Sequence, residues 1–371
     1  MRSVRRGPSP RAATRALAAL LVVAGLAALG GCSRQPPKFI PRGADSTAAV
    51  AADSLGVLVG NTLDQWESQG GTAAAPATIR ILLDDLRHHA DEGLAERART
   101  FLDSCGFSAE VAGTGMVTAV NFFARSDPTG SSWPYLIWRQ KDALRHQALE
   151  GSGMRLLDLT TPGAGADTAA GGGEPLTVAA IFGRQGSRGQ QPVAVVWRRA
   201  PSANAWSLAQ TLGPDSLGGV GVADFVPQPD QGLGLEARTY RSTSGFDECP
   251  TCPHVFRTLR FAWQPPGGFA KVSDQAVASP YYSFVQFIAA LTVGDDDMAG
   301  RFLADRSLLQ SAKDFDWGHA KGSWRVAPGS AESAEEMTFF RGSREAYKVR
   351  FALRSGEWVI TDIQPTQRRV E

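Results

Sequence analysis

Between Gly113 and Val272 the chain breaks into about ten short runs rich in β-branched and aromatic residues, each bounded by Gly, Pro, Ser or Asp. They are Met116–Ala124, Tyr135–Trp138, Arg155–Leu159, Leu176–Phe182, Val193–Arg198, Ser207–Leu212, Gly221–Val226, Leu233–Tyr240, Val255–Trp263 and Phe269–Val272. Strands this short, joined by turns this tight, pair with their sequence neighbours. The region is thereby constrained to an antiparallel meander, as a sandwich or a partial propeller. No fixed repeat period marks true blades. The Gly- and Ala-rich stretch from Pro162 to Pro175 reads as a surface loop within it.

The flanks follow a different period. Ile79, Leu82, Leu83, Leu86, Ala90, Leu94, Ala98, Phe101 and Leu102 recur at helical spacing, which predicts one helix, whole or broken at Gly93, ending at Gly106. An earlier helix spans Ala49 to Trp66, weakened by Gly56 and Gly60, and the stretch from Gly70 to Pro76 reads as a loop. After Ser279-Pro280, which supplies a cap and an N1 proline, Phe284, Phe287, Ile288 and Leu291 mark a helix ending at Gly294. Asp295 to Asp297 open a second helix, carried through Leu308 and Leu309. Strands follow at Trp324–Val326, Met337–Arg341, Tyr347–Leu353 and Trp358–Ile363, with Ser355-Gly356 as a tight turn.

The class expected is α+β, with an N-terminal helical segment, an antiparallel β-rich central domain and a C-terminal helix-helix-sheet cone. The divisions are a leader over 1–31, a tether with a helix over 32–75, an amphipathic helical segment over 76–112, the β-rich domain over 113–275 and the cone over 276–371.

The first 31 residues say where the chain goes. Arg2, Arg5, Arg6, Arg11 and Arg15 precede an apolar run from Ala16 to Leu29, the charged and apolar regions of an export signal. The run falls short of the roughly 20 apolar residues of a membrane-spanning helix. Leu29-Gly30-Gly31-Cys32 resembles the lipobox of bacterial lipoproteins. The resemblance implies cleavage between Gly31 and Cys32, with diacylglycerol in thioether linkage and an N-acyl chain such as palmitate on the cysteine. Several chains on one residue give stable anchoring, whereas one binds marginally. Ser33 resembles the outer-membrane sorting default, which places the anchor in the outer membrane facing the periplasm if the host has two membranes. The alternative is an ordinary secretory signal with an incidental cysteine. From Ser33 to about Ala48 the chain is polar and Pro-rich, as a tether should be.

The tail from Pro280 is similar to the nuclear-transport-factor-two-like or cystatin-like small domains, on Ala290-Leu291, Gly294-Asp295, Ala299 and Gly356-Glu357-Trp358-Val359-Ile360. In that family a helix packs in the curve of a sheet, and the cone either holds a ligand or is filled. The family covers enzymes and inert modules alike, so fold does not give function. The Asp-His pair of its isomerase-like and dehydratase-like members has no identifiable counterpart here.

Chemistry-bearing residues are few. Cys249-Pro250-Thr251-Cys252 lacks the following helix that a thioredoxin-type site needs to lower its thiol pKa. In an oxidising compartment the pair is expected to close a structural disulfide at a hairpin tip. Covalent haem attachment needs histidine directly after the second cysteine, and Pro253 intervenes before His254. Zinc would lack a fourth ligand. Cys105 is left as a buried free thiol flanked by apolar residues or as an intermolecular bridge. His88 and His89 point about 100° apart on a helix and cannot share one ion. Asp215 to Phe225 faintly resembles a propeller calcium loop, but Leu217 and Gly219 stand where oxygen ligands are required. No nucleophile elbow, metalloprotease helix or phosphate-binding glycine loop is present. No catalytic residue, metal ligand or cofactor is therefore assigned.

Removing the leader's five arginines from 38 basic residues leaves 33 against 37 acidic, a net charge of about −4. Nothing in that balance points to nucleic acid. Trp133, Tyr135, Trp138, Trp197, Trp206, Trp263, Tyr281 and Tyr282 would bind glycan or peptide if exposed and build the core if not. The expected function is that of a membrane-anchored cell-envelope lipoprotein acting as a non-catalytic binding or structural module. Its partners are membrane lipid through acylated Cys32 and an envelope protein or glycan. The alternative is an enzyme or small-ligand binder using the C-terminal cone, with Asp316, Trp317 and His319 lining the loop between helices and sheet.

Overall fold

A computed structural model describes residues 46–366 apart from 115, 142, 151–152, 163–175, 202, 229–231, 266, 320 and 344. The leader, Gly31, Cys32, the start of the tether and nearly all of the glycine-rich loop lie outside the described residues. The described chain is α+β and predominantly strand, with four antiparallel four-stranded sheets.

Three helices come first: α1 (Ser46–Ser68), α2 (Gly71–His88) and α3 (Leu94–Cys105). The expected loop at Gly70 to Pro76 is instead the first turns of α2. Pro76 lacks an N–H and forfeits one helical hydrogen bond. Ala74, Ala75, Thr78 and Ile79 are buried on either side of it, and that packing outweighs the loss. Gly71 lies under the ring of Trp133, where any Cβ would collide. The predicted stripe is two helices: α2 ends at His88, and Gly93 stands as the N-cap of α3. Gly106 closes α3 in the left-handed region, φ 78°, where glycine is favoured.

The central region is three successive meanders. Sheet A is β1 (Ala109–Thr114), β2 (Val117–Ala124), β3 (Asp127–Gln140) and β4 (Ala143–Ala148). Sheet B is β5 (Arg155–Thr160), β6 (Thr177–Gly186), β7 (Gly189–Arg198) and β8 (Ser207–Leu212). After a one-turn helix α4 (Pro214–Leu217), sheet C is β9 (Val220–Gln228), β10 (Gly232–Tyr240), β11 (Phe256–Gln264) and β12 (Gly268–Ala276). In each sheet the strands pair in chain order. β1 begins inside the stretch assigned to the helical segment, so the sheet region starts earlier than 113.

The sheets stack in layers. One face of sheet A receives α2 and α3, with Ile79, Leu82, Leu86, Phe101 and Leu102 against Val120, Phe122, Tyr135 and Ile137. Its other face, with Val117, Ala119, Leu136 and Trp138, meets Val178, Ala180 and Phe182 of sheet B. Ala179, Ile181, Ala194 and Val196 leave the opposite side of sheet B and pack on Leu235, Ala237, Leu259 and Phe261 of sheet C. Sheet B is thus buried on both faces, which is why Val178–Phe182 and Val193–Trp197 read as unbroken apolar runs without the alternation of a half-exposed strand.

The meanders share a construction that spacing did not expose. Trp138, Trp197 and Trp263 each stand in the third strand of their sheet and are buried. Gln147 of β4 clasps the backbone at Trp206 in the next meander: its Nε2 donates to the carbonyl (2.9 Å) and its Oε1 accepts from the amide (2.7 Å). Gln210 of β8 does the same at Phe269, at 2.9 and 2.7 Å, and both clasps span 59 residues. Each clasp satisfies two backbone groups at the start of a fourth strand. Replacing Gln147 or Gln210 by Ala is expected to lower unfolding free energy by about 1–2 kcal/mol with an unchanged urea m-value. An unchanged midpoint would mean that the clasps are ornamental.

The C-terminal unit is α5 (Pro280–Val293), α6 (Asp296–Arg301), α7 (Ser307–Asp314) and sheet D, β13 (Trp324–Val326), β14 (Glu336–Arg341), β15 (Glu345–Arg354) and β16 (Glu357–Thr366). The Ser279 side chain accepts from the amide of Tyr282, Pro280 is N1, and Gly294 closes α5 at φ 73°, as its sequence predicts. The expected long second helix is two. Between them the chain leaves the helix to pair with β16, where Ile360 N donates to the Phe302 carbonyl and Ala304 N to that of Ile360, both at 2.8 Å.

Candidate functional site

The three residues nominated in the cone divide between a packed core and the surface. Trp317 is 1% exposed and stands among Tyr347 (ring centroids 4.9 Å), Trp324 (5.1 Å) and Phe284 (5.6 Å). Phe284 stacks on Phe339 at 3.7 Å, so the space between α5 and sheet D is occupied by aromatic side chains. Arg341, itself buried, donates to the carbonyls of Asp316 (2.9 Å) and Phe315 (3.2 Å) and fixes the turn that drives Trp317 inward. Asp316 and His319 face outward and contact each other; the His319 side chain is 82% exposed. Lys321, 2.6 Å away, and then His319 hold the Asp316 carboxyl below the usual carboxylate range. The arrangement is a surface ion cluster capping a packed core, and the expectation of a site at Asp316, Trp317 and His319 is corrected accordingly.

A buried polar cluster lies elsewhere, on the 241–255 loop joining β10 to β11. Cys249 and Cys252 are disulfide-bonded there. The loop is not a free hairpin tip. Asp247 N donates to the Trp324 carbonyl (2.7 Å) and Trp324 N to that of Gly245 (2.9 Å), while Phe246 and Cys252 pack into the C-terminal core. Glu248, with a side chain 3% exposed, accepts from the Tyr281 hydroxyl (3.0 Å) and the Thr243 amide (3.3 Å). His254, 5% exposed, lies flat on the Tyr240 ring at 3.6 Å, with its Nδ1 3.5 Å from the Glu248 carboxylate.

Burial pushes the Glu248 carboxyl up, but its contacts with His254, Thr243 and Tyr281 outweigh that, and it stays below the usual range. Tyr281 is pushed well up, by burial first and then by the adjacent Glu248 charge. Hydroxyl and carboxylate are turned on each other in the interior. The cluster ties Tyr240 of the central stack to Tyr281 of α5, and its chemistry is that of a buried strut. Spacing singled out only its cysteines and His254; the flanking Glu248 was the missing signal.

The remaining nominated residues are placed as follows. Cys105 is half-buried, not fully buried, and burial raises its thiol pKa. His88 is exposed and His89 half-buried; the two bond separately through Nδ1 to the carbonyls of Asp84 and Asp85. Asp215 is solvent-exposed on α4, and Asp224 lies in β9. Among the described residues no group of three or more His, Cys, Asp or Glu is placed to hold a metal ion. Six of the eight nominated aromatics are buried, and Trp133 and Tyr282 are half-buried. The sequence matches no protein-family model and no curated protein.

Proposed function

We propose that the protein is a bacterial cell-envelope lipoprotein, held to a membrane by lipid on Cys32, whose folded body is a non-catalytic binding or structural module. The observation that carries this reading is Leu29-Gly30-Gly31-Cys32 at the end of a short apolar run behind five arginines. Two further facts support it. The Cys249–Cys252 disulfide suits an oxidising, extracytoplasmic compartment. The nominated C-terminal residues form a filled core and a surface ion cluster, arrangements that serve stability rather than chemistry. Ser33 after the lipidated residue favours the outer membrane in a two-membrane envelope, and the partner is an envelope protein or glycan. In the host, Cys32→Ala is expected to move the protein from the membrane pellet to the soluble fraction while its body folds. Unchanged membrane retention would overturn the anchor.

A further inference from the structure

α1 grips the body with only part of its length. Val59, Leu63 and Trp66 pack against the helix-sheet core, whereas the turn before them stands in solvent: Leu55 is 41%, Val57 63% and Leu58 50% exposed. Three of the twelve exposed large apolar side chains among the described residues thus fall within four consecutive positions. Scattered singly, such residues need no explanation; gathered on one turn they make a patch. At about 100° per residue Leu58 lies between Leu55 and Val57, and the three form one arc of about 160°. Asn61 and Gln65 continue that arc along the helix and are polar, so the apolar surface is confined to the turn nearer Cys32.

The chain before the helix points to what covers this patch. Thirteen residues separate Cys32 from Ser46, a span of at most about 50 Å. They carry Arg34, Lys38 and Arg42 against one acid, Asp45, a balance that favours anionic headgroups, and Ser46 to Ala52 adds no charge. Lipid on Cys32 holds the turn within reach of a bilayer at high effective concentration. A second copy is the poorer fit, because three side chains of one turn fall far short of the roughly 800 Å² per partner that a stable interface buries. Among the described residues no helix is long and apolar enough to cross a membrane, so the contact expected is with the surface.

We propose that this turn of α1 lies in the headgroup boundary of the phospholipid bilayer, with Leu55, Val57 and Leu58 toward the acyl chains. The inference rests on the lipid anchor and deepens it: a second, non-covalent contact holds the body against the membrane and stops it swinging freely on its tether.

The test uses the mature chain reconstituted in vesicles of phosphatidylethanolamine and phosphatidylglycerol. Cys105→Ser removes the free thiol, and Leu58→Cys or Val272→Cys then receives an environment-sensitive nitrobenzoxadiazole label; Val272, 56% exposed on β12, is the control. The label at 58 is expected to shift to the blue and to lose most of its fluorescence to nitroxide-bearing phospholipid, while the label at 272 keeps an aqueous spectrum. Leu55→Ser combined with Val57→Ser should return the label at 58 to water without moving the urea midpoint, since both side chains are exposed. An aqueous label at 58 on a chain whose Cys32 carries fatty acid overturns the inference and leaves the anchor standing, whereas a mature terminus without fatty acid overturns both. Equal quenching at 58 and 272 overturns it as well. So does a blue-shifted label at 58 that nitroxide lipid spares and that self-quenches as protein per lipid rises, which would put a second copy on the patch.

Discussion

Trp317→Ala is expected to destabilise the C-terminal unit by about 3–5 kcal/mol, the range for removing a large aromatic from a close-packed core. Trp317 touches Phe284, Trp324 and Tyr347 at once, and its turn is already pinned from below by Arg341, so little collapse into the void is available. The loss is a large share of the 5–15 kcal/mol by which a typical domain is stable. Its neighbours should behave otherwise: His319→Ala and Asp316→Asn act at the surface and should shift stability by no more than about 0.5 kcal/mol. Urea unfolding followed by tryptophan fluorescence and circular dichroism separates the two outcomes. A Trp317→Ala protein within 1 kcal/mol of the parent would mean that the space beneath the helix is not the packed core described above.

Glu248→Ala is expected to cost about 3 kcal/mol at neutral pH, because it strips the Tyr281 hydroxyl and the Thr243 amide of their shared acceptor in the interior. The effect carries a pH signature. A carboxyl held below its unfolded-state value stabilises the fold fully above that value, about 4.3 for glutamate, and the contribution disappears as pH falls through the folded-state value. The stability advantage of the parent over Glu248→Gln should therefore be constant from pH 7 to about 5.5 and shrink steadily below about 4. Urea titrations at stepped pH check this. A gap that stays flat into acid would show that Glu248 is not held in its charged form by His254, Thr243 and Tyr281. Because the loop reaches from Tyr240 to α5, a weakened strut should also expose the 241–255 segment to proteolysis before the strands on either side.

Strands with a strong apolar signal were legible, and those without one were not. All ten predicted runs of the central region lie on or overlap strands, whereas β1 and β4 went unseen. β4 is an edge strand of mostly exposed residues, Ala-Leu-Arg-His-Gln-Ala, in which Leu144 is the one large apolar side chain and makes no alternating pattern. Edge pairing is decided by a neighbouring strand's backbone, which leaves no trace in hydropathy. Pro76 misled for the opposite reason: a local breaker was overridden by tertiary burial of the residues around it. The helix after Asp295 was drawn too long because Leu303 reads as a helical position, although its backbone neighbours pair with β16.

At site level the cysteine pair was legible because its chemistry is carried by spacing alone. Trp317 and His319 share a turn, yet one is core and the other solvent-exposed; that division depends on Arg341, 22 residues beyond His319 in the chain and in contact only through the fold. The glutamine clasps were hidden for the same reason, since each joins residues 59 apart through a side chain that local pattern cannot distinguish from any surface glutamine.

Mass spectrometry of the mature N-terminal peptide from membrane-extracted protein tests the anchor most directly. The account predicts that the chain begins at Cys32 and carries diacylglycerol with an additional acyl chain. A peptide that retains Met1, or one beginning at or near residue 32 without fatty acid, would contradict it.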